Sequence, residues 1–179
     1  MILYIHGFRT THNSFKAQTL KAHYGDDIII SNHPIIPQEA IEYLENLIKK
    51  EKIKTIIASS LGGFYATYLA QKYHLKTVLI NPSVEPYKSL GRYLGVNSKD
   101  NGEEFVWKKE YMQVLERFKI DKIEKKRFFL FLQKGDEILD YRIAEKFYSG
   151  SKLILEEGGN HRFQGFERFY GEVDEFFNS

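Results

Sequence analysis

Six short apolar runs punctuate the chain: Met1–Ile5, Asp27–Ser31, Thr55–Ala58, Thr77–Ile80, Arg127–Leu132 and Lys152–Leu155. Most are continuous stretches of Ile, Leu, Val and Phe. They lack the in-out alternation of a sheet that keeps one face in water, so they predict parallel strands covered on both faces. Between them the apolar spacing becomes helical. Pro37–Lys50 carries Ile41, Leu44, Leu47 and Ile48 behind a proline suited to a first turn. Leu61–Tyr73 carries Leu61, Phe64, Tyr65, Tyr68 and Leu69, and Phe163–Phe177 reads as an amphipathic closing helix. Strands alternating with helices predict an α/β fold, a doubly wound parallel sheet with helices on both faces.

One stretch departs from that rhythm. From residue 84 to residue 126 no strand-like run appears. A turn-rich patch, Gly95-Val-Asn-Ser-Lys-Asp-Asn-Gly102, is followed by Glu103–Ile120 with Phe105, Trp107, Tyr111, Met112, Leu115 and Phe118. The reading is a helical excursion over one sheet edge, within a single domain spanning residues 1–179. An ordinary pair of connecting helices would account for its length equally well.

Composition narrows the function. A formal net charge of +2 argues against a dedicated nucleic-acid binder, which would carry a basic excess. The absence of cysteine excludes disulfides, thiolate metal sites and cysteine nucleophiles. The first apolar run meets His6 and Gly7 at once, too soon for a signal peptide. No window approaches the roughly 18 apolar residues of a membrane span. The expectation is a soluble, cytoplasmic protein.

The strongest local signal is Thr55-Ile-Ile-Ala-Ser-Ser60-Leu-Gly62-Gly63, a buried strand running directly into a helix with Ser60 at the junction. That is the context of a nucleophile elbow, where small flanking residues permit a tight turn and the serine hydroxyl stands clear of the sheet. The next N–H, that of Leu61, lies at a helix N-terminus, where it can stabilise an oxyanion. A serine that merely caps the helix fits the same residues. His6-Gly7-Phe8 follows the first strand, where Phe8 would supply a second oxyanion N–H; His6 itself suits a hydrogen-bonded structural role. Gly135-Asp136 follows the strand ending at Leu132, and Gly158-Gly-Asn-His161 follows the last strand. Each alone is an ordinary turn. Together Ser60, Asp136 and His161 stand in the order Ser…Asp…His, each just past a strand end, and a parallel sheet gathers such ends on one edge. Asp140, just ahead of the helix-like Tyr141–Tyr148, belongs at an N-cap instead. No glycine-rich phosphate cradle and no metal-ligand spacing competes with this reading.

His6-Gly7-Phe8, Ser59-Ser60-Leu61-Gly62-Gly63, Asn81-Pro82-Ser83, Gly135-Asp136-Glu137-Ile138-Leu139-Asp140-Tyr141 and Gly158-Gly159-Asn160-His161-Arg162-Phe163 together resemble the YqiA/YcfP-type bacterial esterases, small members of the α/β-hydrolase superfamily. The resemblance spans essentially the whole chain. It implies a six-stranded parallel sheet of order 2-1-3-4-5-6, lacking the first two strands of the full-length fold. It also implies hydrolysis of a small-molecule acyl ester or thioester without metal or organic cofactor. Carried over, Ser60 is the nucleophile, Asp136 the acid, His161 the base, and Phe8 and Leu61 the oxyanion donors. Ala58 stands where the elbow often has Gly, and Asn160 where Asp is common. Phe105, Trp107 and Tyr111 of the excursion are expected to wall an acyl pocket. A non-catalytic binding protein on the same scaffold, or an acyltransferase, are the alternatives.

Overall fold

All six apolar runs become neighbours in one parallel sheet. The computed structural model describes residues 1–179. In chain order the elements are β1 (Ile2–Ile5), α1 (Phe15–Tyr24), β2 (Ile28–Ile30), α2 (Pro37–Lys50), β3 (Thr55–Ser60), α3 (Leu61–Tyr73), β4 (Lys76–Pro82), α4 (Pro86–Ser89), β5 (Gly95–Ser98), β6 (Glu104–Trp107), α5 (Glu110–Arg117), β7 (Phe128–Gln133), α6 (Tyr141–Phe147), β8 (Lys152–Glu156) and α7 (Tyr170–Asn178). The sheet order is β2-β1-β3-β4-β7-β8, while β5 and β6 form a separate antiparallel hairpin. Among the main-sheet strands this is the order 2-1-3-4-5-6 that the resemblance implies.

Successive strand residues feed two cores. Leu3, Ile5, Ile56, Ala58, Leu79, Leu130 and Leu132 face α2, α3 and the excursion. Tyr4, Ile57, Val78, Ile80, Phe129 and Phe131 face α1 and α7. Coverage on both sides is the reason the strands read as unbroken apolar runs. The chain reverses its direction of travel across the sheet at β1, which lies between β2 and β3. In open α/β sheets the crevice beside such a reversal, at the strands' C-terminal ends, is where ligands bind.

Three elements differ from the sequence reading. The 84–126 segment is not wholly helical, because its turn-rich patch contains β5. The hairpin pairs Val96 with Val106 and Asn97 with Phe105. Its support comes from a distant segment: Arg9 Nε donates to the Ser98 carbonyl (3.0 Å), and Asp100 N–H donates to the Arg9 carbonyl (2.9 Å). The closing helix begins only at Tyr170. Phe163 (φ 57°) and Gly165 (φ 72°) occupy the left-handed region and break the helical path, although Phe163 and Phe166 are buried as their spacing suggested. Helix α1 escaped the pattern because it buries only Ala17 and Leu20 and so presents no apolar stripe.

Candidate active site

Ser60 ends β3 and immediately precedes α3. Its backbone sits at φ 51°, ψ −126°, a conformation that costs a non-glycine residue about 1–3 kcal/mol and persists only where the surroundings enforce it. The surroundings here are extremely close. A Cβ on Gly62 would lie 2.2 Å from the Ile5 carbonyl oxygen, and one on Gly7 would lie 2.9 Å from Ser60 Cβ. Glycine at both places lets the end of β1 and the start of α3 close around the serine. Ser59 points the other way, its Oγ 3.0 Å from the buried Tyr4 hydroxyl.

Asp136 follows β7 in the turn between that strand and α6. Its carboxylate is nearly fully enclosed, at 2% exposure. Oδ1 accepts the backbone N–H groups of Ile138 (2.9 Å) and Leu139 (2.8 Å). Both carboxylate oxygens also lie 2.9 Å from His161 Nδ1. A carboxylate can only accept, so Nδ1 carries the proton and Nε2 presents its lone pair. That lone pair faces Ser60, whose Oγ lies 3.0 Å from Nε2. An imidazole held in this relay can draw the proton from a hydroxyl and activate it for attack.

Two peptide N–H groups belong to residues next to Ser60 in the chain or in space. Leu61 is the first residue of α3, in the turn whose N–H groups have no intrahelical acceptor. The Phe8 N–H belongs to the peptide unit whose carbonyl is that of Gly7, and two donors anchor that carbonyl. His6 Nδ1 donates to it at 3.1 Å and Thr10 Oγ1 at 2.9 Å. Because the unit is planar, fixing its oxygen fixes the direction of the Phe8 N–H. Burial pushes the His6 imidazole down from 6.5 to about 4, so it serves as a neutral hydrogen-bonding group. His33 stacks on it with ring centroids 4.2 Å apart, and burial lowers His33 in the same direction. Phe8 and Leu61 both line a shallow cleft whose other walls include Thr10, Asn32, His33 and Lys99.

The structure therefore brings together Ser60, Asp136, His161, Phe8 and Leu61. It does not place Trp107 and Tyr111 on an open surface: they are 1% and 7% exposed and belong to the core, with Phe105 packed against it. The acyl-wall expectation is corrected for Trp107 and Tyr111, while Phe105 is only partly buried. Buried in this way, Trp107 and Tyr111 anchor the segment to the core. The segment meets the site indirectly, through Phe8, whose ring lies 4.9 Å from Trp107, 5.6 Å from Phe105 and 5.4 Å from Tyr93. Asp140 caps α6, accepting the Arg142 N–H at 3.1 Å. Sequence reasoning gave no role to Asn81, Gln133 or Glu137, all of which reach the His161 loop. The available signals were the Asn81-Pro82-Ser83 motif and a lone Gln closing the apolar run of β7. No three His, Cys, Asp or Glu side chains converge as a metal site requires, and no helix is long and apolar enough to cross a membrane.

A family profile described as "Uncharacterised protein family (UPF0227)" matches residues 1–178. A UPF0227 protein of Shewanella loihica is 27% identical, the similarity covering 98% of both chains. Among solved structures, mouse alpha/beta hydrolase domain-containing protein 10 superposes with a TM-score of 0.76 at 13% identity, over 99% of this chain and 89% of that one. Est1E of Butyrivibrio proteoclasticus gives 0.73 at 15% identity, over 99% and 86%. The fold is the α/β-hydrolase fold.

Proposed function

This chain belongs to the UPF0227 family, and we propose that it is a serine hydrolase that cleaves acyl esters or thioesters of small molecules through an acyl-enzyme. One observation carries the reading: His161 joins Asp136 through Nδ1 at 2.9 Å and Ser60 through Nε2 at 3.0 Å. In the first half-reaction His161 takes the Ser60 proton as Oγ attacks the acyl carbon, and Asp136 stabilises the resulting imidazolium. The N–H groups of Phe8 and Leu61 receive the negative charge that develops on the carbonyl oxygen. The tetrahedral intermediate collapses, and His161 returns the proton to the departing alcohol or thiol. In the second half, His161 deprotonates a water that attacks the acyl-serine ester. The acid leaves and the serine regains its proton. Every step uses groups already on the chain, in the cytoplasm as the proposed setting.

A fluorophosphonate probe tests the reading directly. The wild-type protein is expected to take a covalent label mapping to Ser60, and Ser60→Ala to take none. An unlabelled wild type that binds small molecules would point to a ligand-binding scaffold. A labelled protein that yields new esters when alcohols are added to an aryl ester or acyl-CoA assay would point to acyl transfer.

A further inference from the structure

The loop that delivers His161 has no regular structure of its own. It leaves β8 at Glu156 and passes through Gly158 and Gly159, both at positive φ, before His161. Its position is imposed by side chains from three other places. Asn81, at the end of β4, is 2% exposed and held at φ 41°. Its Nδ2 donates to the Asn160 carbonyl (3.0 Å) and the His161 carbonyl (3.1 Å), while its Oδ1 accepts the Gln133 N–H (3.0 Å). Gln133, the last residue of β7, is 3% exposed. Its Oε1 accepts from the Asn160 and Gln164 N–H groups (3.1 and 2.9 Å), and its Nε2 donates to Glu156 Oε2 (2.9 Å) and the Gln164 carbonyl (3.0 Å). From the opposite side, exposed Glu137 accepts the His161 N–H through Oε2 at 2.9 Å.

Both backbone polar groups of His161 thus end on side chains: its carbonyl on Asn81 and its N–H on Glu137. Buried amides with every polar hydrogen used are costly to disturb, and they specify one arrangement over its neighbours. We infer that Asn81 and Glu137 are positioning residues that hold the His161 backbone so that the ring spans Ser60 and Asp136, with Gln133 fixing the flanking residues. The inference rests on the serine-hydrolase reading above. Neither side chain touches the reacting atoms. Their loss is therefore expected to act on turnover more than on substrate binding, because a shift of about 1 Å in a reacting group can cost 10²-fold in rate.

The test is steady-state kinetics on an aryl ester alongside fluorophosphonate labelling. Asn81→Ala is expected to lower kcat by about 10²-fold with little change in KM. Glu137→Ala is expected to lower kcat in the same manner. Glu137→Gln, whose amide oxygen still accepts the His161 N–H, is expected to restore it. The Glu137 pair matters because Asn81 is buried. If Asn81→Ala does not fold, the surface pair decides alone. A folded Asn81→Ala with wild-type kcat overturns the inference, as does equal impairment by Glu137→Ala and Glu137→Gln, which would trace the effect to charge. A wild type that takes no label at Ser60 overturns the hydrolase reading and this inference together. A labelled wild type with unimpaired variants overturns the inference alone.

Discussion

Lowering the pH from 7 to 5 should destabilise this protein through His6, and the structure sets the size of the effect. His6 is 6% exposed, stacked on His33 and bound to the Gly7 carbonyl. Its desolvated ring is pushed down from 6.5 to about 4 in the folded chain. Between those values the unfolded chain binds a proton that the folded chain refuses, so stability falls as pH drops through 6.5 and levels off below about 4. At about 1.36 kcal/mol per pH unit, less the part already lost at neutrality, the loss from pH 7 to pH 5 comes to about 2 kcal/mol. His33, lowered for the same reason, adds to it in the same direction. Against a total of about 5–15 kcal/mol for a typical domain, this is a large fraction. The assay is urea unfolding at both pH values for the wild type and for His6→Gln. The variant is less stable at pH 7, but its further loss on acidification is expected to be smaller than the wild type's by about 2 kcal/mol. Equal losses in the two proteins would refute the argument, since His6 would then not be held neutral by burial.

Ser60→Ala should remove on the order of 10⁶ in kcat on an aryl ester, whereas Ser59→Ala should keep most activity, because its hydroxyl bonds Tyr4 on the opposite side. Asp136→Asn should cost about 10⁴ in kcat, the loss seen for the equivalent change in trypsin. Asp140→Asn should cost little, since Asn also caps helices well. Circular dichroism of both Asp variants checks that they fold. Trp107→Ala should lower thermal stability by about 3–5 kcal/mol. It should also reduce kcat while leaving the ranking of acyl chain lengths unchanged; a changed ranking would return Trp107 to the substrate pocket.

The central strands β1, β3, β4 and β7 were legible because they are buried on both faces and read as uninterrupted apolar runs, while the sheet order came from the family resemblance. The family resemblance and the α/β-hydrolase fold followed from motifs at the ends of those runs. What escaped is what depends on tertiary partners. Strand β5, Gly-Val-Asn-Ser, carries no pattern of its own and exists because β6 and residues 9–11 hold it. Trp107 and Tyr111 were visible as large aromatics, but spacing cannot say whether a large apolar side chain lines a pocket or fills a core. Ser60, Asp136 and His161 could be proposed from chemistry and strand ends. Asn81 and Gln133 could not, because an amide earns its place by where its two hydrogens and its oxygen end, and no local pattern records that.

Ser60 and His161 stand 101 positions apart, and that separation orders events during synthesis. The serine, the two proposed oxyanion donors and the Gly7 turn all precede residue 62, while the base comes only after β8. At about 5–20 residues per second, the proposed nucleophile and its base are separated by about 5–20 seconds of translation. A nascent or truncated chain can therefore display the serine but cannot deprotonate it through His161. On the proposed mechanism, acylation by passing metabolites is withheld until β8 has joined the sheet and the loop after it has delivered the base.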